Sequence, residues 1–218
     1  IVEAAIKAMR DGFTHYTPNA GILSLRESIA RKLKRDNGID ADPEREVIVA
    51  PGATEMLHLV MKTLIDPGDE VILPDPFYPV FKGQIELCGG VVRFARLSEA
   101  DGFAMNPDVV ASLITSKTKM ILINSPSNPT GGVTPKESLL KIAELAARHD
   151  LLIVSDEVYQ AFLYDGAEHF SIASCPEYRD RTITIGSCSK TYAMTGWRVG
   201  YACANAAIIE RMTKLHEF

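Results

Sequence analysis

Met120-Ile121-Leu122-Ile123-Asn124 and Leu151-Leu152-Ile153-Val154-Ser155 are short, apolar runs, and Pro135–His149 between them has helical spacing with a proline in its first turn. A strand apolar at nearly every position must be covered on both faces, and a helix between two such strands is the crossover of a parallel sheet. The alternation extends both ways. Glu46–Ala50, Glu70–Leu73, Val91–Ala95, Thr182–Gly186 and Arg198–Ala204 read as further strands. Ala53–Ile65, Tyr78–Leu87, Pro107–Ile114 and a stretch beginning near Asn205 read as helices, the first stopped by Asp66-Pro67-Gly68. Right-handed crossovers then leave one reading: an α/β fold, a three-layer α/β/α sandwich around a mostly parallel mixed sheet.

Upstream, Leu25, Ile29 and Leu33 fall at helical spacing and Asn37-Gly38 ends that helix. No strand pattern precedes Glu46. Residues 1–45 are therefore expected to form a helical arm or the start of the large domain, and 46–218 the large domain itself. Ile1 opens within one helical pattern and Leu215-His216-Glu217-Phe218 interrupts another, so the chain reads as a piece of a longer protein.

Composition narrows the function classes. The net charge of −5 gives nucleic acid or an anionic membrane nothing to attract, and no apolar run has the length of a membrane span. The basic group Arg31, Lys32, Lys34 and Arg35 reads as the solvated face of a helix. Cys88, Cys175, Cys188 and Cys203 form no CxxC pair, and the five histidines are dispersed. This is the pattern of reduced, mostly buried thiols in a cytoplasmic protein without a metal site.

In open α/β sheets, ligands lie beyond the carboxyl ends of the strands. Polar, turn-forming residues gather there: Pro51-Gly52-Ala53-Thr54, Asp75-Pro76-Phe77-Tyr78, Asn124 to Gly131, Asp156-Glu157-Val158-Tyr159 and Ser187-Cys188-Ser189-Lys190. Lys190, just past an apolar strand and among small hydroxyl residues, can be partly desolvated and become a nucleophile toward a carbonyl, though taken alone it reads first as a surface lysine at a helix start. Arg198 suits a bidentate grip on phosphate or an ordinary ion pair. Gly52-Ala53-Thr54 is either a plain helix start or a phosphate site on free N–H groups. Asp156, at the end of a doubly buried strand, needs a positive or donating partner, or caps a helix. Tyr78 and Tyr159 can be packed aromatics, and Asn128 a turn residue. Taken together and in order, these groups suit an anionic, aromatic, carbonyl-bearing ligand such as pyridoxal 5′-phosphate (PLP).

The motifs carry a family resemblance. Tyr16-Thr17-Pro18 with Gly21 and Leu25-Arg26, Pro51-Gly52-Ala53-Thr54-Glu55, Pro76-Phe77-Tyr78-Pro79 and Asn128-Pro129-Thr130-Gly131 stand in family order. Asp156-Glu157-Val158-Tyr159 and Ser187-Cys188-Ser189-Lys190-Thr191 with Gly196-Trp197-Arg198-Val199-Gly200 complete the set. The chain resembles the class I/II aminotransferases, the aspartate aminotransferase-like branch of fold-type I PLP enzymes. That resemblance implies a Schiff base on Lys190, which also serves as general base, and Asp156 against the pyridine nitrogen. It implies Tyr159 and Asn128 on the ring's phenolic oxygen, Asn128 also on the substrate carboxylate, and Tyr78 on the ring face. Ala53, Thr54, Ser187 and Arg198 would hold the phosphate, and Tyr16 would reach the phosphate of a neighbouring subunit in a homodimer with shared sites.

The implied activity is ping-pong transfer of an amino group from an α-amino acid to a 2-oxo acid. Cis peptides are expected before Pro76 and Pro129. C–S β-lyases and aminocyclopropane-carboxylate synthases share these motifs, and a PLP-sensing regulatory domain is a further alternative. The chain departs from the family in length: the end of the large domain, the small C-terminal domain with its carboxylate-binding arginine, and the extreme N-terminal loop are not in it. Some aspartate-specific members carry a lysine where Thr54 stands, so dicarboxylate selection by that lysine is not expected.

Overall fold

The computed structural model describes every residue from Ile1 to Phe218. Its central strands are largely apolar because successive side chains enter opposite cores. Met120 and Leu122 face one layer, Ile121 and Ile123 the other.

The chain opens with α1 (Val2–Arg10), which buries none of its residues, and α2 (Leu23–Lys32). α2 runs on into a wider π turn, Leu33–Asn37, closed by Gly38 in the left-handed region at φ 69°. There follow β1 (Val47–Ala50), α3 (Ala53–Leu64), β2 (Glu70–Asp75), α4 (Val80–Leu87) and β3 (Val91–Arg96). Next come α5 (Pro107–Leu113), β4 (Thr118–Asn124), α6 (Lys136–Arg148) and β5 (Leu152–Asp156). The chain ends with α7 (Pro176–Arg179), β6 (Thr182–Ser187), α8 (Cys188–Thr191), β7 (Gly200–Cys203) and α9 (Ala206–Leu215).

One seven-stranded sheet holds the order β1-β7-β6-β5-β4-β2-β3. β7 is antiparallel to both its neighbours and the remaining pairs are parallel. The expected sandwich with a mostly parallel mixed sheet is therefore the observed fold. Met56 and Leu57 of α3, Phe81 and Ile85 of α4 and Ile208 and Met212 of α9 fill one face. Val110 of α5 and Leu139, Ile142 and Ala146 of α6 fill the other. Beside them, Ile29, Leu33 and Ile39 pack against Val47, Tyr201 and Cys203, so the α2 segment covers the β1–β7 end of that second face.

Several readings need correction. Lys32 does not lie on a solvated helix face: it is half-buried and its Nζ donates to Asn37 Oδ1 at 2.8 Å, because the wider turn folds Asn37 back beneath it. Tyr78 precedes its helix, which starts at Val80 after Pro79, and Arg198 precedes β7 in a left-handed conformation at φ 54°. A third cis peptide, Ser125–Pro126, joins the expected Asp75–Pro76 and Asn128–Pro129. Only Cys88 and Cys203 of the four free thiols are fully buried.

Register fixes what meets at the carboxyl edge. Asn124 aligns with Asp156, and Asp156 with Ile185. Because β7 runs backward, its first residue lies at this same edge: Gly200 aligns with Ser187 on one side and Ala50 on the other. The segment from Ser187 to Gly200 thus leaves and re-enters the sheet at adjacent rungs, and Cys188 N–H closes it by donating to Val199 C=O at 3.0 Å.

Candidate active site

A cleft of about 300 Å³ opens over this edge, lined by 15 residues. Ala53, Thr54, Tyr78, Asn128, Asp156, Tyr159, Ser187, Lys190 and Arg198 all lie on its wall. Tyr16 does not: it is fully exposed on the segment before α2, with a relative exposure of 108%.

One end of the cleft is built to receive an anion. α3 begins at Gly52, whose lack of a side chain leaves the first helical N–H groups without a side-chain acceptor. Gly52 sits at φ 90°, and a Cβ there would lie 2.4 Å from an Arg198 guanidinium nitrogen. The guanidinium therefore rests directly on the helix start. Its hydrogen bonds run only to carbonyls, Nη1 to Thr195 at 2.9 Å and Nη2 to Pro51 at 3.3 Å. A cation and the positive end of a helix dipole face the same space with no carboxylate between them, an arrangement that favours a bound anion such as phosphate. Gly200 completes the cradle: a Cβ on it would lie 2.3 Å from the Ala53 nitrogen. The Ser187 hydroxyl accepts from Ser189 N–H at 3.0 Å and donates to Val199 C=O at 3.1 Å, so it must turn to serve a ligand.

The other end is built around a carboxyl group. Asp156 is buried at the tip of β5, and burial pushes its carboxyl up to about 7, partly opposed by the Val158 N–H that donates to Oδ1 at 3.1 Å. Oδ2 has no protein donor. A buried carboxyl in this state gains most from a cation or donor placed against it. Val158 and Tyr159 follow on the turn. Lys190 Nζ lies 5.8 Å from the centre of the Tyr159 ring and has no carboxylate partner. Lys190 is exposed, because α8 places it on the open rim and nothing else in this chain closes over it. Tyr78 is held edge-on to Phe81, ring centres 5.7 Å apart.

Sequence reasoning passed over three polar members. Asn124 is buried and bridges two of the others: its Oδ1 accepts from Asn128 N–H at 2.8 Å and its Nδ2 donates to Asp156 C=O at 3.3 Å. Ser189 and Thr195 also line the cleft. Asn124 closes an apolar strand and Ser189 stands beside Lys190, so their positions alone gave a signal.

A match to the family described as "Aminotransferase class I and II" runs over residues 1–218. The chain belongs to this family. As an aminotransferase-family chain it is 44% identical over 216 residues to an aspartate aminotransferase of Bacillus sp. (strain YM-2), covering 99% of itself and 55% of that protein. It is 40% identical to aromatic-amino-acid aminotransferase 2 of Thermococcus litoralis, covering 100% of itself and 56% of the relative. The solved structure of an aromatic aminotransferase from Pyrococcus horikoshii OT3 superposes with a TM-score of 0.96 at 45% identity, over 98% of this chain and 57% of that one. The chain thus spans about half the length of the curated relatives it matches. The family depends on PLP, and the residues fit that cofactor. Asp156 leaves Oδ2 for a ring nitrogen, the uncapped α3 start and Arg198 leave room for a phosphate, and Lys190 Nζ is unpaired. No helix is long and apolar enough to cross a membrane.

Proposed function

We propose that this chain is the cofactor-binding core of a PLP-dependent aminotransferase that moves an amino group from an α-amino acid to a 2-oxo acid. The observation that carries the reading is the opposition, across one cleft, of a buried carboxyl group short of donors and a guanidinium short of acceptors, with an unpaired lysine on the rim.

PLP supplies a carbonyl that condenses with amines and a ring that takes up the electron pair left on a substrate's α-carbon. The protein's part is placement and proton movement. Ala53 and Thr54 N–H groups, Arg198 and a turned Ser187 hydroxyl would grip the phosphate of a bound cofactor. Asp156 would hold a protonated pyridine nitrogen, since a carboxylate this deeply buried is stabilised by a cation against it. Tyr159 and Asn128 would donate to the phenolic oxygen, and Tyr78 would lie along one ring face. Lys190 Nζ would be the amine that holds the carbonyl of a bound cofactor and, once freed by a substrate amine, the base that moves the substrate's α-proton. Asn128 also orients the substrate carboxylate.

In the domain reading, residues 46–218 belong to the cofactor-binding domain and 1–45 to the arm that leads into it. Tyr16, exposed and not part of its own cleft wall, supports a homodimer in which it reaches the partner's phosphate. The four free thiols support a cytoplasmic setting.

Borohydride reduction of the PLP-loaded protein followed by peptide mass spectrometry tests the reading, which expects the label on Lys190. Labelling elsewhere overturns it. With the full-length protein, oxo-acid release from amino acids is expected to require 2-oxoglutarate or pyruvate; release without an acceptor indicates elimination instead.

A further inference from the structure

Next to Asp156 stands a second buried carboxylate, Glu157, for which the mechanism has no task. Successive residues of an extended segment face opposite sides. Asp156 opens onto the cleft, whereas Ser155 and Glu157 turn away from it. Glu157 is 2% exposed. Its Oε2 accepts from Asn37 Nδ2 at 2.8 Å and Ser171 Oγ at 2.6 Å and meets His169 Nε2 at 2.9 Å. Its Oε1 accepts from Ser155 Oγ at 2.8 Å. Asn37 extends the network, with Nδ2 also 2.8 Å from Gln160 Oε1 and Oδ1 accepting from Lys32 Nζ at 2.8 Å.

A buried carboxylate is costly to desolvate, and donors on both oxygens are what make this one tolerable. The donors come from three places: the π turn after α2, strand β5, and the loop that returns through His169 and Ser171. All of them grip the segment Asp156–Tyr159 from its far side, while on the cleft side the Val158 N–H bond to the Asp156 carboxyl and the Asn124 amide on the Asp156 carbonyl hold it. We propose that Glu157 is a positioning residue: its anchored carboxylate fixes the Asp156–Tyr159 turn so that the Asp156 carboxyl and the Tyr159 hydroxyl stay aimed into the cleft. This rests on the reading of that cleft as a PLP site.

A merely structural carboxylate would lower stability when removed and leave the bound cofactor unaltered, so the decisive readouts are spectroscopic. In PLP-loaded full-length protein, Glu157→Ala is expected to raise the pH midpoint of the cofactor's visible absorbance by at least about half a unit, as donors to the phenolic oxygen draw back. PLP affinity is expected to fall about tenfold. Glu157→Gln is expected to restore both to near wild type, because its carbonyl can keep the Oε2 bonds while its amide donates to the Ser155 hydroxyl. Ser171→Ala should shift the midpoint the same way by less. If Glu157→Ala does not fold, Ser171→Ala and Asn37→Ala each withdraw one donor and carry the test. Folded variants that lose thermal stability yet keep the wild-type midpoint and affinity overturn the proposal. Wild-type protein that fails to bind PLP at all overturns the underlying site reading, a separate and distinguishable failure.

Discussion

Replacing Asp156 by asparagine should stabilise the cofactor-free protein, and only at neutral to alkaline pH. The carboxyl is pushed by burial from its ordinary value of 3.8 up to about 7. The folded chain therefore binds the proton more tightly than the unfolded chain, so this group's contribution to stability falls as pH rises from about 4 to about 7 and is flat beyond. Three pH units of differential affinity amount to roughly 4 kcal/mol, and relaxation around the ionised group brings the expected effect to about 2 to 4 kcal/mol. Asparagine keeps an acceptor for the Val158 N–H but cannot ionise, so it escapes the cost. Urea unfolding of both proteins without PLP should give nearly equal stabilities near pH 4, with the variant ahead by that margin near pH 8. Saturating PLP should reverse the order at pH 8, since a protonated ring nitrogen against the carboxylate favours its ionised form. A stability difference that stays constant across this range refutes the argument, because it would mean that Asp156 is not held in a proton-retaining environment.

Three further outcomes follow from the cleft. Gly200→Ala drives a Cβ into the Gly52–Ala53 backbone and should cost about 1–3 kcal/mol and at least tenfold in PLP affinity, measured by absorbance titration. Arg198→Lys exchanges a planar fork for a point charge, so PLP affinity should fall about tenfold or more while affinity for pyridoxal, which has no phosphate, stays unchanged. Asn124→Ala leaves the Asn128 N–H and Asp156 C=O short of a partner, for a loss of about 1–3 kcal/mol in thermal or urea unfolding together with a lower kcat.

The layered fold was legible because Met120–Asn124 and Leu151–Ser155 are apolar in a way only a doubly covered strand explains. The cleft was legible because polar residues of specific chemistry recur just past those strands. What escaped depended on contacts distant in sequence. Asn37 and Glu157 are 120 residues apart, and no local pattern announces that they meet. The wider turn after Lys32, which brings Asn37 inward, carries ordinary helix-forming residues. The exposure of Lys190 follows from what surrounds it, which its neighbours in sequence do not specify.

The backward course of β7 has a mechanical consequence. Lys190 and Arg198 ride on one excursion whose two feet are fastened to paired rungs, Ser187 and Gly200. The span from the Lys190 amine to the Arg198 guanidinium is thereby set by a single short loop and not by the spacing of distant strands. Substitutions that tilt β2 or β4 can disturb Tyr78 or Asn128 while this span keeps its length. Covalent tethering should thus outlast the loss of finer ring alignment when the sheet is perturbed from its far edge.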